Sequence, residues 1–339
     1  MKSQNNYINK IQKLFLASKK EIEKYGEEIK GKIDYSYEHL REVQLNINHH
    51  QTVILDEINN KTKNSGSYFA SEKEIVVKIF SGLKLFLDPR DIAVTPHLVL
   101  DSIWEHRITA AWLSVVGADD TVLDIGANFG YYGALAAQLT NKKKSKVVFF
   151  EPNPNLIPYI KKSLDTNWLN EQSVVENCAI SDKEGYATLH LLKDYVGSSS
   201  LYSTAELEKF MNDKMHLETA QKIKVPINTI DNYCKKNKIN EINLIKMDIE
   251  GYEDKAYKGM RDIVKNSPNI TMFIEFTRQA YSDPINFYNE MLNDFGHVYV
   301  INDEGIIEKP KNDSYEAIIG KSDDWVMPIF SKKSNLNKQ

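Results

Sequence analysis

The chain has 339 residues and a net charge of −4, so it can bury a sizeable core and is not the basic chain expected of a general nucleic-acid-binding protein. Its two cysteines, Cys178 and Cys234, are too far apart in sequence to suggest a disulfide framework or a cysteine-based zinc site, which fits a reducing cytoplasm. No apolar run approaches the roughly 20 residues of a membrane span and no secretory signal opens the chain, so we expect a cytoplasmic protein without a transmembrane segment.

Residues 1–65 predict an N-terminal helical extension. A heptad-like series of largely apolar residues begins at Ile8 and ends at Ile54. One interpretation is a coiled coil or helical hairpin that forms a homo-oligomer or docks a glycosyltransferase through residues 8–58. The other is an amphipathic helix that lies on its own domain. Polar residues 60–67 then predict a linker.

A hairpin and a helix are predicted before the central strand. The apolar, β-branched runs 74–80 and 83–87 flank Ser81-Gly82, which is a hairpin signal. Residues 98–116 predict one helix, which Gly117 closes.

Residues 122–130 predict a buried strand, a glycine turn and the start of a helix. Gly126 and Gly130 lie where the backbone must turn sharply and let a ligand approach, and this first turn of an open α/β sheet binds nucleotide-like ligands. Asn128 stands at the second glycine position of the dinucleotide fingerprint, which disfavours an NAD-linked enzyme. The pattern resembles the acidic-x-Gly-x-Gly-x-Gly turn of class I S-adenosylmethionine (SAM) methyltransferases, with Asp124 holding the ammonium of the methionine part.

Two further strand ends extend the predicted cofactor site. Glu151 follows the strand 146–150, where a carboxylate accepts hydrogen bonds from ribose hydroxyls. The third strand, 174–179, should border the adenine through backbone groups near Ala179 and the carboxylate of Asp182. The alternatives are a solvated strand-end carboxylate at Glu151 and ordinary turn chemistry around Asp182.

The stretch 244–254 is the second one that indicates chemistry, because a strand runs into acidic residues and a glycine turn before a helix begins. Four carboxylates within seven residues repel one another, which predicts a partner, a bound cation or a raised pKa for some of them. They are Asp248, Glu250, Glu253 and Asp254. Glu275, near the end of the next strand, adds another carboxylate.

The remaining segments complete a fold prediction. An insertion at 193–223 interrupts the alternation of strands and helices and is placed to cover a substrate. Residues 331–339 are predicted to be a disordered tail. The fold class is α/β: a doubly wound, mostly parallel seven-stranded Rossmann-like sheet in residues 66–330, preceded by the coiled-coil-like extension. Four further segments complete this sheet and its helices: 284–295, 298–301, 306–307 and 317–319.

Three stretches together resemble the FkbM family of SAM-dependent methyltransferases: Asp124 to Gly130, Phe150-Glu-Pro-Asn-Pro154 and Lys246-Met-Asp-Ile-Glu-Gly-Tyr-Glu253. The third is close to that family's K-[IM]-D-[VI]-E-G-x-E signature. The resemblance covers roughly residues 75–300 and implies O-methylation of hydroxyls on sugars or natural products. It implies that Asp248 lies where the methyl donor meets the acceptor. It also implies these SAM-binding residues: Asp124, Gly126, Asn128, Gly130, Glu151 and Asn153.

A hydroxyl is a weak nucleophile, so methyl transfer to it needs a base or a metal. We predict Asp248 or Glu250 as the base, with Glu275 nearby and His190 as another candidate. In a rival scheme two of the carboxylates hold Mg²⁺. The expected acceptor is a hydroxyl of a small molecule or of a glycan precursor in polysaccharide biosynthesis, by family association. The alternative from another class is a catalytically weak scaffold that recruits glycan-synthesis enzymes through its N-terminal helices.

Overall fold

The computed structural model describes residues 67–71, 73–192, 199–202, 219–320 and 325–336. The predicted helical extension, residues 1–65, lies outside these ranges, so the coiled coil and the domain division at residue 65 stay predictions. Within the described ranges, no helix is long and apolar enough to cross a membrane.

Strands and helices alternate along most of the described chain. The strands are β1 (Tyr68–Ser71), β2 (Glu74–Lys78), β3 (Lys84–Leu87), β4 (Thr121–Ile125), β5 (Lys146–Phe150), β6 (Ser173–Glu176), β7 (Ala179–Ile180), β8 (Gly185–Leu192), β9 (Ser199–Ser200), β10 (Thr219–Asn228), β11 (Leu244–Met247), β12 (Thr271–Ile274), β13 (His297–Ile301), β14 (Ile307–Glu308) and β15 (Ile329–Ser331). The α-helices are α1 (Thr95–Asp101), α2 (His106–Val115), α3 (Tyr131–Leu139), α4 (Ile157–Thr166), α5 (Ile230–Asn237), α6 (Glu253–Lys258), α7 (Arg261–Asn266), α8 (Pro284–Phe295) and α9 (Tyr315–Ile318). A short 3-10 turn covers Arg278–Ala280.

The main sheet has the strand order β14-β13-β15-β12-β11-β4-β5-β6. Its five strands from β12 to β6 run parallel, and helical crossovers between parallel strands cover both faces of such a sheet. β11 and β12 are accordingly buried along their whole length, and β4 and β5 along all but their first residue. The doubly wound, mostly parallel sheet predicted from the sequence is therefore confirmed.

The strand count was wrong, because the main sheet contains eight described strands where the sequence predicted seven. The edge strand β14 corresponds to the predicted segment 306–307 and pairs with Val300 and Ile301 of β13 after a turn that Gly305 closes with a φ of +76°. Residues 317–319 do not form a strand, since Ser314 caps the short helix α9 there. The strand that fills this place in the sheet is β15.

The predicted tail begins too early. Ser331 ends β15 and is fully buried, and Leu336 is only 3% exposed in the core. The hydroxyl of Tyr299 donates to the carbonyl of Lys333 at 2.8 Å, which fixes the backbone beyond the last strand. Residues 337–339 lie outside the described ranges.

The region before β4 differs from the sequence prediction at one point that matters for the site. β2 and β3 form the predicted hairpin. The single helix expected at 98–116 is broken into α1 and α2, because Ser102 and Glu105 both adopt left-handed backbone conformations, with φ of 57° and 42°. This break turns Glu105 toward the start of α3, where the hydroxyl of Tyr132 donates to it.

Leu336 tests the ordered C-terminal segment. Replacing a buried leucine by alanine leaves a cavity, so we expect Leu336→Ala to lower the free energy of unfolding by about 2–4 kcal/mol in urea denaturation. The control is Leu100→Ala, because Leu100 is 80% exposed and the change should cost less than about 0.5 kcal/mol. Equal stability of the two variants would show that Leu336 is not part of the core.

Candidate active site

The candidate site is a cavity of about 260 Å³ at the carboxyl ends of the adjacent parallel strands β4, β5 and β11. Ligands bind at this edge of open α/β sheets. Val94 and Trp104 line it from the segment before β4, and Ser199, Ser200 and Leu201 line it from the β8–β9 side. The cavity also contains seven of the residues predicted from the sequence: Asp124, Gly126, Asn128, Glu151, Ala179, Asp248 and Glu250.

Gly126 is required by a neighbouring backbone rather than by a ligand. Its φ is +82°, and a Cβ atom on it would lie 1.9 Å from the carbonyl oxygen of Asp248. The amide of Asp248 also donates to the carbonyl of Ile125 at 3.0 Å. The turn after β4 and the turn after β11 are thus packed backbone against backbone, which brings Asp248 to the cavity.

Glu151 organises the two loops that flank it. Its Oε2 accepts the backbone N–H of Asn128 and its Oε1 accepts the backbone N–H of Asn153, each at 2.8 Å. The carboxyl group is 3% exposed, and burial raises its pKa to about 8 although both hydrogen bonds act in the opposite direction. Asn128 has a φ of +53°, and its side-chain Oδ1 is buried without a hydrogen-bond partner at the cavity wall.

Asp124 is also partly engaged by the protein. Its Oδ2 accepts the backbone N–H of Gly133 in α3 at 2.8 Å. Burial raises the pKa of Asp124 to about 6, against the opposing effect of the nearby Lys246 ammonium and of the Gly133 hydrogen bond. Lys246 lies beside Asp124 because β11 and β4 pair in parallel with these two residues in register.

Lys246 and Asp248 form the central ion pair. The Lys246 ammonium donates to Asp248 Oδ2 at 2.7 Å, and the lysine is 3% exposed. Burial by itself would raise the pKa of Asp248, but Lys246 and a hydrogen bond from Glu275 outweigh it and lower that pKa to about 2. Burial and the charge of Asp248 raise the pKa of Glu275 well above its ordinary value, which favours the protonated form of Glu275 as the donor of this hydrogen bond.

The loop after Asp248 is held in an unusual conformation by Glu253. Glu250 and Gly251 have φ values of +57° and +92°, and such a conformation is unfavourable for a glutamate. Glu253 Oε1 accepts the N–H of Ile249 at 2.9 Å and that of Gly251 at 3.3 Å, while Tyr281 donates to its Oε2 at 2.8 Å. Burial raises the pKa of Glu253 to about 7. Glu253 therefore shapes the loop that presents Glu250 to the cavity.

Four of the predicted site residues lie away from the cavity wall. Gly130 begins α3 with a φ of +80° and packs against Ile160, so it serves the turn. Asn153 is buried behind Glu151, where its Oδ1 accepts the N–H of Asn155. Glu275 does not line the cavity but is hydrogen-bonded to Asp248, which does. Asp182 is exposed and accepts a hydrogen bond from its neighbour Ser181, so the structure does not bring it into the site.

A family model provides the identification. The model of the methyltransferase FkbM domain matches residues 124–303, which is more than half of the chain. The chain belongs to the FkbM methyltransferase family. No curated protein matches it.

Solved methyltransferase structures resemble this FkbM protein at low identity. The FkbM methyltransferase of Methylobacillus flagellatus KT is 17% identical with a TM-score of 0.36, over 63% of this chain and 43% of that one, so the chain spans less than half of that protein's length. P. horikoshii TYW2 in complex with MeSAdo is 12% identical with a TM-score of 0.38, over 78% of this chain and 74% of that one. The precorrin-6y C5,15-methyltransferase of Geobacter metallireducens GS-15 is 10% identical with a TM-score of 0.36, over 73% and 97% of the two chains.

The described residues of this FkbM protein do not support the Mg²⁺ alternative. They contain no group of three or more His, Cys, Asp or Glu side chains that could hold a metal ion. Two of the carboxylates proposed as ligands also have other partners, since Asp248 pairs with Lys246 and Glu275 is hydrogen-bonded to Asp248. His190, the other candidate base, lies in β8 where that strand pairs with β10, and it is buried and does not line the cavity.

Three residues of the site were missed by sequence reasoning: Glu105, Tyr132 and Lys246. Lys246 was quoted within the FkbM signature but given no role, although its spacing of two residues from Asp248 on a strand predicts that both side chains share one face. Tyr132 follows the glycine turn in the predicted helix, and no motif marks it. No local signal pointed to Glu105, because its place depends on the break between α1 and α2.

The close backbone packing at Gly126 predicts that adding a single methyl group there greatly lowers the stability of the protein. Gly126→Ala places a Cβ against the Asp248 carbonyl and should cost about 3 kcal/mol or more in urea denaturation, or prevent folding. Gly82→Ala is the matched control, since Gly82 has a similar φ of +88° with nothing within 4 Å of the new Cβ, so only the strain of about 1–2 kcal/mol is expected. Equal costs would mean that the turns after β4 and β11 are not in contact.

The buried carboxyl groups predict a loss of stability as pH rises. The pKa of Glu253 is raised to about 7 and that of Glu151 to about 8, so above their unfolded pKa of 4.5 the folded chain keeps protons that the unfolded chain releases. The stability that these two protonated carboxyl groups contribute is fully present below pH 4.5 and is lost as the pH rises through 7 and 8. His106, whose pKa burial lowers, acts in the opposite direction only below about pH 6.5. We therefore expect the melting temperature of the free protein to fall between about pH 6.5 and 8.5.

Glu253→Gln isolates one of these groups. The amide cannot ionise, its oxygen can still accept the N–H groups of Ile249 and Gly251, and its NH₂ can donate to the Tyr281 hydroxyl. The melting temperature of this variant should depend less on pH than that of the wild type. Glu171→Gln, at an exposed site, is the control and should leave the profile unchanged. A profile that stays as steep in Glu253→Gln as in the wild type would contradict the assignment.

Proposed function

We propose that this FkbM protein is a SAM-dependent O-methyltransferase whose acceptor is a hydroxyl of a sugar or glycan precursor. The observation that carries the proposal is the convergence of Glu151, Asn128 and Asp248 on one cavity from three adjacent strand ends. Family membership supports methyl transfer. Two parts of the proposal go beyond family membership: that SAM is the methyl donor, and that the acceptor atom is an oxygen.

The cavity fits the nucleoside part of SAM. A carboxylate offers about four acceptor sites, and the two backbone N–H groups at Glu151 use only two of them. Two sites remain for the ribose hydroxyls. Cys178, Ala179 and Ile180 line the same wall with small and apolar side chains, which suits an adenine ring. The unpartnered Oδ1 of Asn128 is a buried acceptor for a ligand donor, and an unmatched buried acceptor is costly.

The methionine part would lie toward Asp124 and Asp248. Asp124 keeps acceptor sites beyond its bond from Gly133, so it can receive the cofactor ammonium as predicted. SAM supplies an activated methyl group on a positively charged sulfur. The protein aligns the acceptor oxygen with that methyl group and excludes water, and both effects lower the barrier to an in-line displacement.

Asp248 and Glu250 remain the candidate bases, since both line the cavity. Asp248 is held ionised by Lys246, so it can accept a hydrogen bond from the acceptor hydroxyl, although a carboxylate with a lowered pKa is a weak proton acceptor. Glu275 is a poorer candidate for the base, because it does not line the cavity and its raised pKa favours the protonated form. We assign Glu275 the role of holding the Asp248 carboxylate in place.

The acceptor class and the assembly are proposed from the family and the sequence. FkbM proteins mostly methylate sugar or natural-product hydroxyls, and the carboxylates and aromatic side chains at the cavity, such as Trp104 and Tyr252, suit a hydroxylated ring. We propose cytoplasmic glycan-precursor synthesis as the setting. Residues 8–58 would then contact a second copy of the chain or a glycosyltransferase.

Calorimetric titration with S-adenosylhomocysteine tests the cofactor. Wild type should bind, and Glu151→Ala should lose most of that affinity, because it removes the carboxylate at the ribose position and leaves the N–H groups of Asn128 and Asn153 without their partner. Asp182→Ala is the matched control: Asp182 was also predicted to bind the cofactor, but it is exposed outside the cavity. We expect a loss of about 10-fold or more for Glu151→Ala and no change for Asp182→Ala.

A folded wild type that binds no S-adenosylhomocysteine would refute SAM dependence and favour the scaffold alternative. If Asp182→Ala weakened binding as much as Glu151→Ala, the cofactor would lie elsewhere than in this cavity. Screening of glycan precursors for methyl transfer, with a Glu151→Ala blank, then identifies the acceptor.

A further inference from the structure

A glutamate outside the matched family domain is connected to the candidate site through a tyrosine. Glu105 precedes residue 124, where the family match begins. The Tyr132 hydroxyl donates to Glu105 Oε2 at 2.7 Å. Tyr132 lines the cavity, and the Lys246 ammonium lies over its ring at 4.5 Å from the centroid. Since Lys246 donates to Asp248 at 2.7 Å, an unbroken series of contacts runs from Glu105 to the cavity carboxylate.

Local structure does not account for a glutamate at this position. Glu105 is the N-cap residue of α2, but its side chain makes no capping hydrogen bond, and N-caps favour Ser, Thr, Asp or Asn. Its left-handed backbone, with a φ of 42°, is unfavourable for a residue with a Cβ atom. Such conformations persist where surrounding contacts impose them. The Glu105 side chain accepts from Tyr132 and is also hydrogen-bonded to Trp104 in the same turn.

The segment around Glu105 is tied to the start of α3 by a second hydrogen bond. The backbone N–H of Trp104 donates to the hydroxyl of Tyr131 at 3.2 Å. The Thr109 hydroxyl donates to the carbonyl of Trp104 at 2.5 Å, which braces the turn from within. Two consecutive tyrosines of α3 are therefore held by two consecutive residues of the turn between α1 and α2.

We propose that Glu105 is a positioning residue: by accepting the hydrogen bond from Tyr132, it fixes the ring that holds the Lys246 ammonium against Asp248. Its place in a methyl-transfer site rests on the proposed function, whereas the contacts themselves do not. An ammonium over an aromatic face is attracted by the ring quadrupole. A shift of the Tyr132 ring would therefore move the Lys246 ammonium, which holds the Asp248 carboxylate in place.

NMR of the lysine side chains tests this role directly. In the wild type, the ε-methylene and ammonium signals of Lys246 should be displaced by the current of the Tyr132 ring, and they are assigned by their absence in Lys246→Arg. Glu105→Ala and Tyr132→Phe should each lose most of this displacement, because both remove the hydrogen bond. Glu105→Gln should keep it, since the amide oxygen still accepts from Tyr132. Glu171→Ala, at an exposed site, is the control and should match the wild type.

Tyr132→Phe protects the test against loss of folding in Glu105→Ala, because a phenylalanine ring still fills the space beside Trp112. Unchanged Lys246 signals in a folded Tyr132→Phe would overturn the proposal. A loss in Glu105→Gln as complete as in Glu105→Ala would overturn it too, since charge and not the hydrogen bond would then position the ring. Absence of S-adenosylhomocysteine binding to the wild type refutes the proposed function only, and the Lys246 signals still decide the role of Glu105.

Discussion

The buried ammonium of Lys246 is the interaction on which the rest of the site depends. A charged group that is 3% exposed is costly unless it is paired, and here the carboxylates of Asp248, Glu105 and Asp124 surround it. Burial alone would lower the pKa of Lys246, but these carboxylates more than offset it and raise that pKa. Because Asp248 lies in the turn after β11, Glu105 in the turn before α2 and Asp124 in β4, one charge holds three distant parts of the chain together.

Two other acidic residues of the motifs use their carboxylates to accept hydrogen bonds from backbone N–H groups. Glu151 binds the N–H groups of Asn128 and Asn153, and Glu253 binds those of Ile249 and Gly251. In both cases one side chain fixes a loop at a strand end before any ligand arrives. Preorganised loops reduce the ordering that a ligand must otherwise impose, which favours affinity.

The sequence predicted what local periodicity determines. The parallel strands β4, β5, β11 and β12 appear as apolar runs between turns, so their existence and their positions along the chain followed from pattern alone. What it could not predict depends on contacts between distant residues. The break at Glu105 lies inside a helical pattern, where Glu105 contacts Tyr132 of a later helix, and the three-residue strand β15 has too few residues to carry a period.

The glycine turn illustrates the same limit within a motif. Its spacing correctly placed Gly126 at the cavity, but the reason for a glycine is the Asp248 carbonyl more than 120 residues away in sequence. Conversely, Asp182 was predicted to lie in the site from the expected end of the third strand, but in the structure it is exposed to solvent. Motif spacing thus located the site well, whereas the residue that each side chain contacts could be identified only from the folded structure.

The place of β15 has a consequence for how the chain assembles during synthesis. β15 is the last strand in sequence, yet it lies between β12 and β13 and is the only described strand that joins β13 to the rest of the main sheet. The strands that form the cavity can pair while the chain is still being made, since domains form progressively from the N-terminal side. Until residues 329–331 emerge, one edge of β12 has open hydrogen-bonding groups, and such edges recruit other chains. A nascent chain that stalls before residue 329 would have a nearly complete cavity next to an unpaired strand edge that is prone to aggregation.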